Sequence, residues 1–458
     1  MSALGFSFRL SSQVAPVSSG PRLIYLLVEV SAASEAPTLP SNLVFVIDTS
    51  DSMRIRLVTE HQFAQLLKNG GVQEVITDGV PAYQLNSIPE NWVAQLPRRI
   101  DYVSAALRSA SELLREQDHF SLIAFASQSR VLVQQTPGAQ RDRLHQATFE
   151  LETLKLGDET HLVEGLEKAL LESQRLPGKD YATRLILLTD GHTRDVKECY
   201  EWARKAREAG IKLTTIGVGA EFNEELLIPL ADLTGGSAYY AETPEKIVQA
   251  FEQELGSALK VSYRNVEIKL WLAQGVLLRR VHRVLPELGE FDPGPEMDSS
   301  YALLLGDQSC GSRISLLLEL VAPESPPGVQ RLAQMMLAWE EDEKERHRAR
   351  YDVMIERSDS MTARWDETVM DIVEKVGAFT MGTKALEAAR SATEEEDPHG
   401  KSRATVRLRQ AATRLLDMGE ASLAGAMLHQ AEILEEKGSL DREETKKLRY
   451  ESRRLTQR

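Results

Sequence analysis

The stretch that decides the reading runs from Val44 to Met53, VFVIDTSDSM. Four apolar residues pass directly into two acids, Asp48 and Asp51, and three hydroxyls, Thr49, Ser50 and Ser52. A buried strand does not carry that density of polar atoms unless something satisfies them. Either the strand emerges into solvent, or its oxygens converge on a bound ion. The alternate spacing of D-x-S-x-S lets Asp48, Ser50 and Ser52 point from one tight loop toward a common centre. The same alternation turns Asp51 outward.

Working outward, residues 41–255 alternate strand and helix. LVFVI (43–47), FSLIAFA (120–126), RLILLTD (184–190) and IKLTTIGVG (211–219) read as buried strands, and RVLVQQ (130–135) as an antiparallel neighbour. Helical spacing marks 99–116, 161–174, 197–210, 223–236 and 244–259, two of them closed by glycine at the C-terminus. This alternation implies a doubly wound, mostly parallel sheet with helices on both faces. In such sheets ligands sit beyond the carboxyl ends of the strands, where strand order reverses. Two further polar loops belong there. LGDETHL (156–162) carries Thr160, and LILLTDG (185–191) ends in Asp190 and Gly191. Two carboxylates and three hydroxyls suit a hard, oxygen-seeking divalent cation such as Mg2+, with one position left open.

The flanks differ in character. Residues 6–16 and 23–33 read as strands, as does most of 260–358, where 329–350 also fits a helix by its Leu, Met, Ala and Glu content. Strands are favoured there, in a hairpin turning at the charged EEDEKER. Residues 1–38 and 260–358 together are expected to form one β-sandwich, into which the α/β unit (41–255) is inserted. Residues 362–458 read as three or four amphipathic helices, broken by TEEEDPHGKS and by Gly419 and Gly438.

The net charge of −15 argues against nucleic-acid or anionic-membrane partners. Two cysteines far apart, Cys199 and Cys310, exclude a zinc or disulfide framework. No apolar run approaches a membrane span, and the N-terminus lacks the pattern of a secretory leader, so a cytoplasmic location is expected. HGKS (399–402) lacks the upstream glycine and strand of a phosphate-binding loop. His161 and His192 each follow a proposed ligand and read as loop residues at the mouth of the site. Met335 and Met336 read as core.

DTSDS, then Thr160, then LLTDG, in that order at the ends of buried strands, resembles the metal-ion-dependent adhesion site of von Willebrand factor A-like domains, and the flanks resemble bacterial multidomain members. The resemblance covers about 41–255. It implies that Ser50 and Ser52 bind the metal directly, Thr160 directly or through water, and Asp48 and Asp190 mainly through water. The open position then takes an Asp or Glu from a partner protein. Mg2+ is the expected ion, with Mn2+ or Ca2+ as alternatives, and the expected role is binding rather than catalysis. The rival role is adaptor to an AAA+ ATPase of the MoxR or chelatase type, or to a bacterial multi-gene defence or signalling system. Asp51 departs from the glycine common at its position in bacterial members. A long insertion, 54–98, delays the first helix on the metal face. Its apolar residues (Phe63, Leu66, Leu67, Val72, Val75, Ile76) predict that it is folded, either as an edge decoration or as a selectivity lid.

Overall fold

A computed structural model describes residues 4–17, 20–56, 67–68, 71–77, 80–85, 96–176, 181–219, 222–297, 299–341, 346–359 and 365–457. The strand Ser41–Asp48 lies at the centre of a six-stranded sheet, and all eight of its residues are buried. On one side it pairs in parallel with Ala182–Thr189, followed outward by Lys212–Val218 and Ala238–Ala241. On the other side lie His119–Phe125, parallel, and the antiparallel edge Ser129–Pro137. A strand covered on both faces reads as a continuous apolar run, as FVI and LILL do. One face packs on the helices Arg99–Leu113, Asp142–Thr153 and Pro244–Ala258. The other packs on Leu162–Ser173, Val196–Glu208 and Glu224–Thr234. The chain leaves Ser41–Asp48 in one direction and later returns on its other side. The order therefore reverses between Ser41–Asp48 and Ala182–Thr189, and the carboxyl ends of these two strands open the crevice.

The N-terminal strands do pair with the later ones. Gly5–Leu10 and Arg22–Ser31 join Arg313–Ala322, Leu277–Leu285 and Gly289–Glu290 in one five-stranded sheet. Ser300–Ser309, Val261–Leu272, Gly328–Glu340, Arg346–Ser358 and Val14–Pro16 make the other. The inner faces share one apolar core, from Leu26 and Val28 to Met335 and Leu337. The α/β unit is thus inserted in a β-sandwich. The expected single strand 6–16 is instead two. It breaks at Ser11–Gln13 and its halves join different sheets. The strand reading of 329–350 holds, because Met335 and Leu337 face the core at period two while Met336 looks away. A helix absent from the sequence reading, Asp142–Thr153, buries only a narrow face of Leu144, Ala147, Thr148 and Leu151 and leaves Phe149 exposed. Such a face gives little periodic signal. Of the insertion, the described part includes the antiparallel hairpin Val72–Thr77 and Val80–Leu85, while Phe63 and Leu66 lie outside the described residues.

The C-terminal helices are Glu367–Glu394, Pro398–Asp417, Ala421–Lys437 and Arg442–Ser452. Asp366, Asp397 and Asp441 cap three of them by accepting amide hydrogens of Val369, His399 and Glu444 at 3.1, 3.0 and 2.9 Å. Their apolar faces cover the outer face of the first sandwich sheet around Leu27, Val284 and Leu317. The last helix continues to the α/β unit. There Tyr450 joins the core, and the Lys446 ammonium lies 4.3 Å from the centre of the Phe222 ring.

All three parts meet at Asp232. Arg453 of the C-terminal segment donates to both of its oxygens, at 2.8 and 2.6 Å, and Arg283 of the sandwich donates to it as well. Arg453 also reaches Glu287 at 3.3 Å. Burial opposes the Asp232 charge, but the two guanidinium groups overcome it and hold the carboxyl below its usual range. Arg453→Met keeps much of the packing and removes the charge. We expect it to lower unfolding free energy by about 3–5 kcal/mol in urea titrations. Because the folded-state value is depressed, the gap between wild type and variant should be full above the ordinary Asp value of 3.8 and close as pH falls below it.

Candidate metal centre

Asp48 ends its strand with its side chain fully buried. One oxygen accepts the Ser50 amide hydrogen at 2.9 Å, and the other accepts the Thr189 hydroxyl at 2.5 Å. The chain then bends through Thr49 and Ser50 into a single 3-10 turn, Asp51–Arg54. Met53, wholly buried in the core, anchors that turn. Asp51 is exposed. The Ser50 and Ser52 hydroxyls lie 3.0 Å apart, and the Ser52 hydroxyl donates to Asp190 Oδ1 at 2.6 Å. Asp190 Oδ2 accepts from Arg99 Nη1, also at 2.6 Å. Four of the five sequence-predicted residues are therefore joined by a short run of oxygens at the switch point.

Thr160, the fifth, lies against Gly191. A Cβ on residue 191 would stand 2.6 Å from the Thr160 Oγ1, so the glycine after Asp190 makes room for this hydroxyl. Thr160 does not cap the helix that follows it. His161 is the cap residue, and the first amides are taken by the next loop. Thr193 Oγ1 accepts from Leu162 N at 3.1 Å and Asp195 Oδ2 from Val163 N at 2.8 Å. His161 and His192 both line the space above the site, and His161 Nε2 is 3.2 Å from Glu159 Oε2.

Two buried carboxylates this close repel. Burial first, and the Asp190 charge second, push Asp48 up to about 6. Arg99, which opens the helix after the insertion, supplies a positive charge against Asp190. Among the described residues no group of three or more His, Cys, Asp or Glu is placed to hold a metal. A cation here would draw on hydroxyl oxygens.

Ser52, Thr160 and Asp190 form part of the floor of a cleft of about 930 Å³. Its opposite wall is the C-terminal domain, through Arg390 and Glu394 of the long helix, Asp441 to Glu443, and Lys446. That wall is tied to the α/β unit by ion pairs from Arg390 to Glu225, Arg449 to Glu225 at 3.1 Å and Lys446 to Glu224 at 3.4 Å. The sequence reading missed Arg99, Thr189 and this wall. Thr189 was visible in LLTD, but the other two are far in sequence from the motif and carry no local signal.

Residues 90–253 match the von Willebrand factor type A domain, and residues 367–458 match the Sll0103-like, C-terminal alpha-helical domain. The chain therefore contains a von Willebrand factor type A domain, built into extra sheets and followed by a C-terminal helical domain. It is 24% identical over 337 residues to the uncharacterized protein YfbK of Escherichia coli (strain K12), covering 71% of this chain and 50% of that one. It is 25% identical over 248 residues to the uncharacterized protein sll0103 of Synechocystis, covering 53% of this chain and 58% of that one. The aligned region is thus little more than half the length of these curated relatives. Among solved structures, a von Willebrand factor type A protein from Catenulispora acidiphila superposes with a TM-score of 0.75 at 14% identity, over 99% of this chain and 97% of that one. The ArnB paralog VWA2 from Sulfolobus acidocaldarius superposes with a TM-score of 0.55 at 15% identity, over 99% of each chain.

A carboxyl whose folded-state value lies above its unfolded one stabilises the fold only while protonated. The metal-free protein should lose stability as pH rises from the ordinary Asp value of 3.8 through about 6, and then level off. Asp48→Asn should flatten that slope in thermal melts of metal-free protein. At neutral pH it should be the more stable form, by on the order of 3 kcal/mol.

Proposed function

We propose that this chain is a non-enzymatic, Mg2+-dependent protein-interaction module. Its metal takes a carboxylate from an Asp or Glu of a partner protein. The observation that carries the reading is the run of oxygens from Ser50 through Ser52 to Asp190, with buried Asp48 behind it, at the floor of a cleft. The donors are all hard, and two carboxylates balance a divalent charge; Mn2+ or Ca2+ would suit the same set. Ser50, Ser52 and Thr160 would hold the ion, while Asp48 and Asp190 would orient the hydroxyls and supply the opposing charge. Exchange of one ligand for a partner carboxylate makes a bond across an interface without any covalent step. The cleft above supplies room for that side chain, and its helical wall supplies further contacts. An AAA+ ATPase is one kind of partner this surface would serve.

Mg2+ should raise the melting temperature of the wild type and leave Asp190→Ala and Ser52→Ala unmoved. Protons compete with the cation for Asp48, so the apparent Mg2+ affinity should weaken as pH is lowered through about 6. Affinity capture in Mg2+ with wild type and Asp48→Ala, compared by mass spectrometry, tests the bridge itself. A protein held by wild type alone is the expected result, and identical catches would sink the reading. If that protein is an ATPase, a change in its ATP turnover on adding the wild type separates an adaptor from a passive scaffold.

A further inference from the structure

A second cleft lies on the other side of the C-terminal domain, where the helices Glu367–Glu394 and Pro398–Asp417 cover the outer face of the first sandwich sheet. Its volume is about 600 Å³. Three separate elements send cations into its lining: Arg280 from the sheet, Lys384 from the first helix, and Arg407 and Arg414 from the second. The lining contains one carboxylate, Glu319, which is already engaged by Arg279 at 3.4 Å and His282 at 3.3 Å. Among the described residues none of the four cations has an ion-pair partner. Neighbouring cations of the same helices do, as Lys375 has in Asp371 and Arg409 in Glu435.

This is the reverse of what the chain's charge would produce by chance. A protein of net charge −15 has acids to spare, yet four like charges line one cleft between two packed domains. Arg280, Lys384 and Arg407 are exposed and Arg414 is half-buried, so water screens their repulsion, while an anion seated in the cleft would be drawn to all four. Gly377 bears on one of the four. It sits inside a long helix, where glycine costs about 1 kcal/mol against alanine. A Cβ there would stand 3.0 Å from an Arg414 guanidinium nitrogen, so the glycine leaves room for that group to lie along the helix. The rest of the lining is mixed: Leu317, Val373, Val376 and Met381 form an apolar strip, beside Tyr25, His282, Thr380 and Gln410.

We propose that this cleft binds a small molecule carrying two or more phosphate groups, of nucleotide size. Three of the four cations are arginines, whose planar forks match phosphate oxygens in pairs. Four positive charges call for a ligand of three or four negative charges in a compact head. The apolar strip accepts its uncharged body. The volume falls within the range of small-molecule sites. The site is distinct from the Asp48 centre and does not rest on the reading of that centre.

Calorimetric titration of the metal-free full chain with sodium pyrophosphate and with ATP tests the proposal. Both should bind, ATP the more tightly, with affinity falling as NaCl is added. Lys384→Gln/Arg407→Gln, both at exposed positions, should weaken binding at least tenfold. Asp48→Asn, and Arg331→Gln on the opposite sheet, should bind like the wild type. Arg414→Gln provides a second reading of the same cleft. Equal binding by wild type and the double variant would overturn the proposal. So would citrate or a hexaglutamate peptide binding with the same arginine dependence while neither phosphate compound binds, which would assign the cleft to carboxylates.

Discussion

The carboxylate of Asp232 is gripped by Arg453 and Arg283, and on that contact the arrangement of the whole molecule depends. Each of the three groups belongs to a different part of the chain: the α/β unit, the C-terminal segment and the sandwich. Removing a charge from water costs several kcal/mol, and only close opposite charges with good hydrogen bonds return it. The cluster is therefore satisfied in one relative placement of the three parts. Arg453 is held from a second side by Glu287, and its own carbonyl accepts the Leu288 amide at 2.7 Å, so the chain beyond the last helix is pinned in both side chain and backbone.

That pinning places the last helix over the end of Glu224–Thr234 and so makes one wall of the cleft above Asp48. The other wall is the tip of the sheet. Its positions come from parallel strands whose register is set by apolar burial on both faces. A rigid floor and a docked roof differ in kind: the floor belongs to one core, while the roof depends on ion pairs and aromatic contacts between domains. Partner selectivity on this reading rests with the roof, because the floor chemistry is generic to any carboxylate.

The floor itself carries an electrostatic conflict. Asp48 and Asp190 are both buried, and the nearby hydroxyls satisfy hydrogen bonds without cancelling charge. Arg99 answers part of that deficit from the first residue after the long insertion. The helix that follows the insertion thus delivers a positive charge to the edge of the site. Such local conflict is expected where function, rather than stability, selects the residues.

Much of this was legible along the chain. VFVI before DTSDS, and LILL before TDG, announce buried parallel strands ending in oxygen donors, because burial on two faces leaves no alternation and polar atoms must wait for the strand end. Gly235 and Gly438 announce helix ends, since both adopt the left-handed conformation that a glycine takes without strain. Local chemistry therefore set the fold class of the α/β unit and drew attention to Asp48, Ser50, Ser52, Thr160 and Asp190. The folded chain alone could show that 6–16 divides between two sheets, that Thr193 and Asp195 rather than Thr160 cap the helix at 162, and that Arg99 lies against Asp190. It alone brings Arg453 to Asp232 across 221 positions, and Arg280 to the helix that carries Arg407 and Arg414. Periodicity and turn residues act over a few neighbours, whereas these pairings are fixed by which surfaces bury together, and that information is spread over the whole chain.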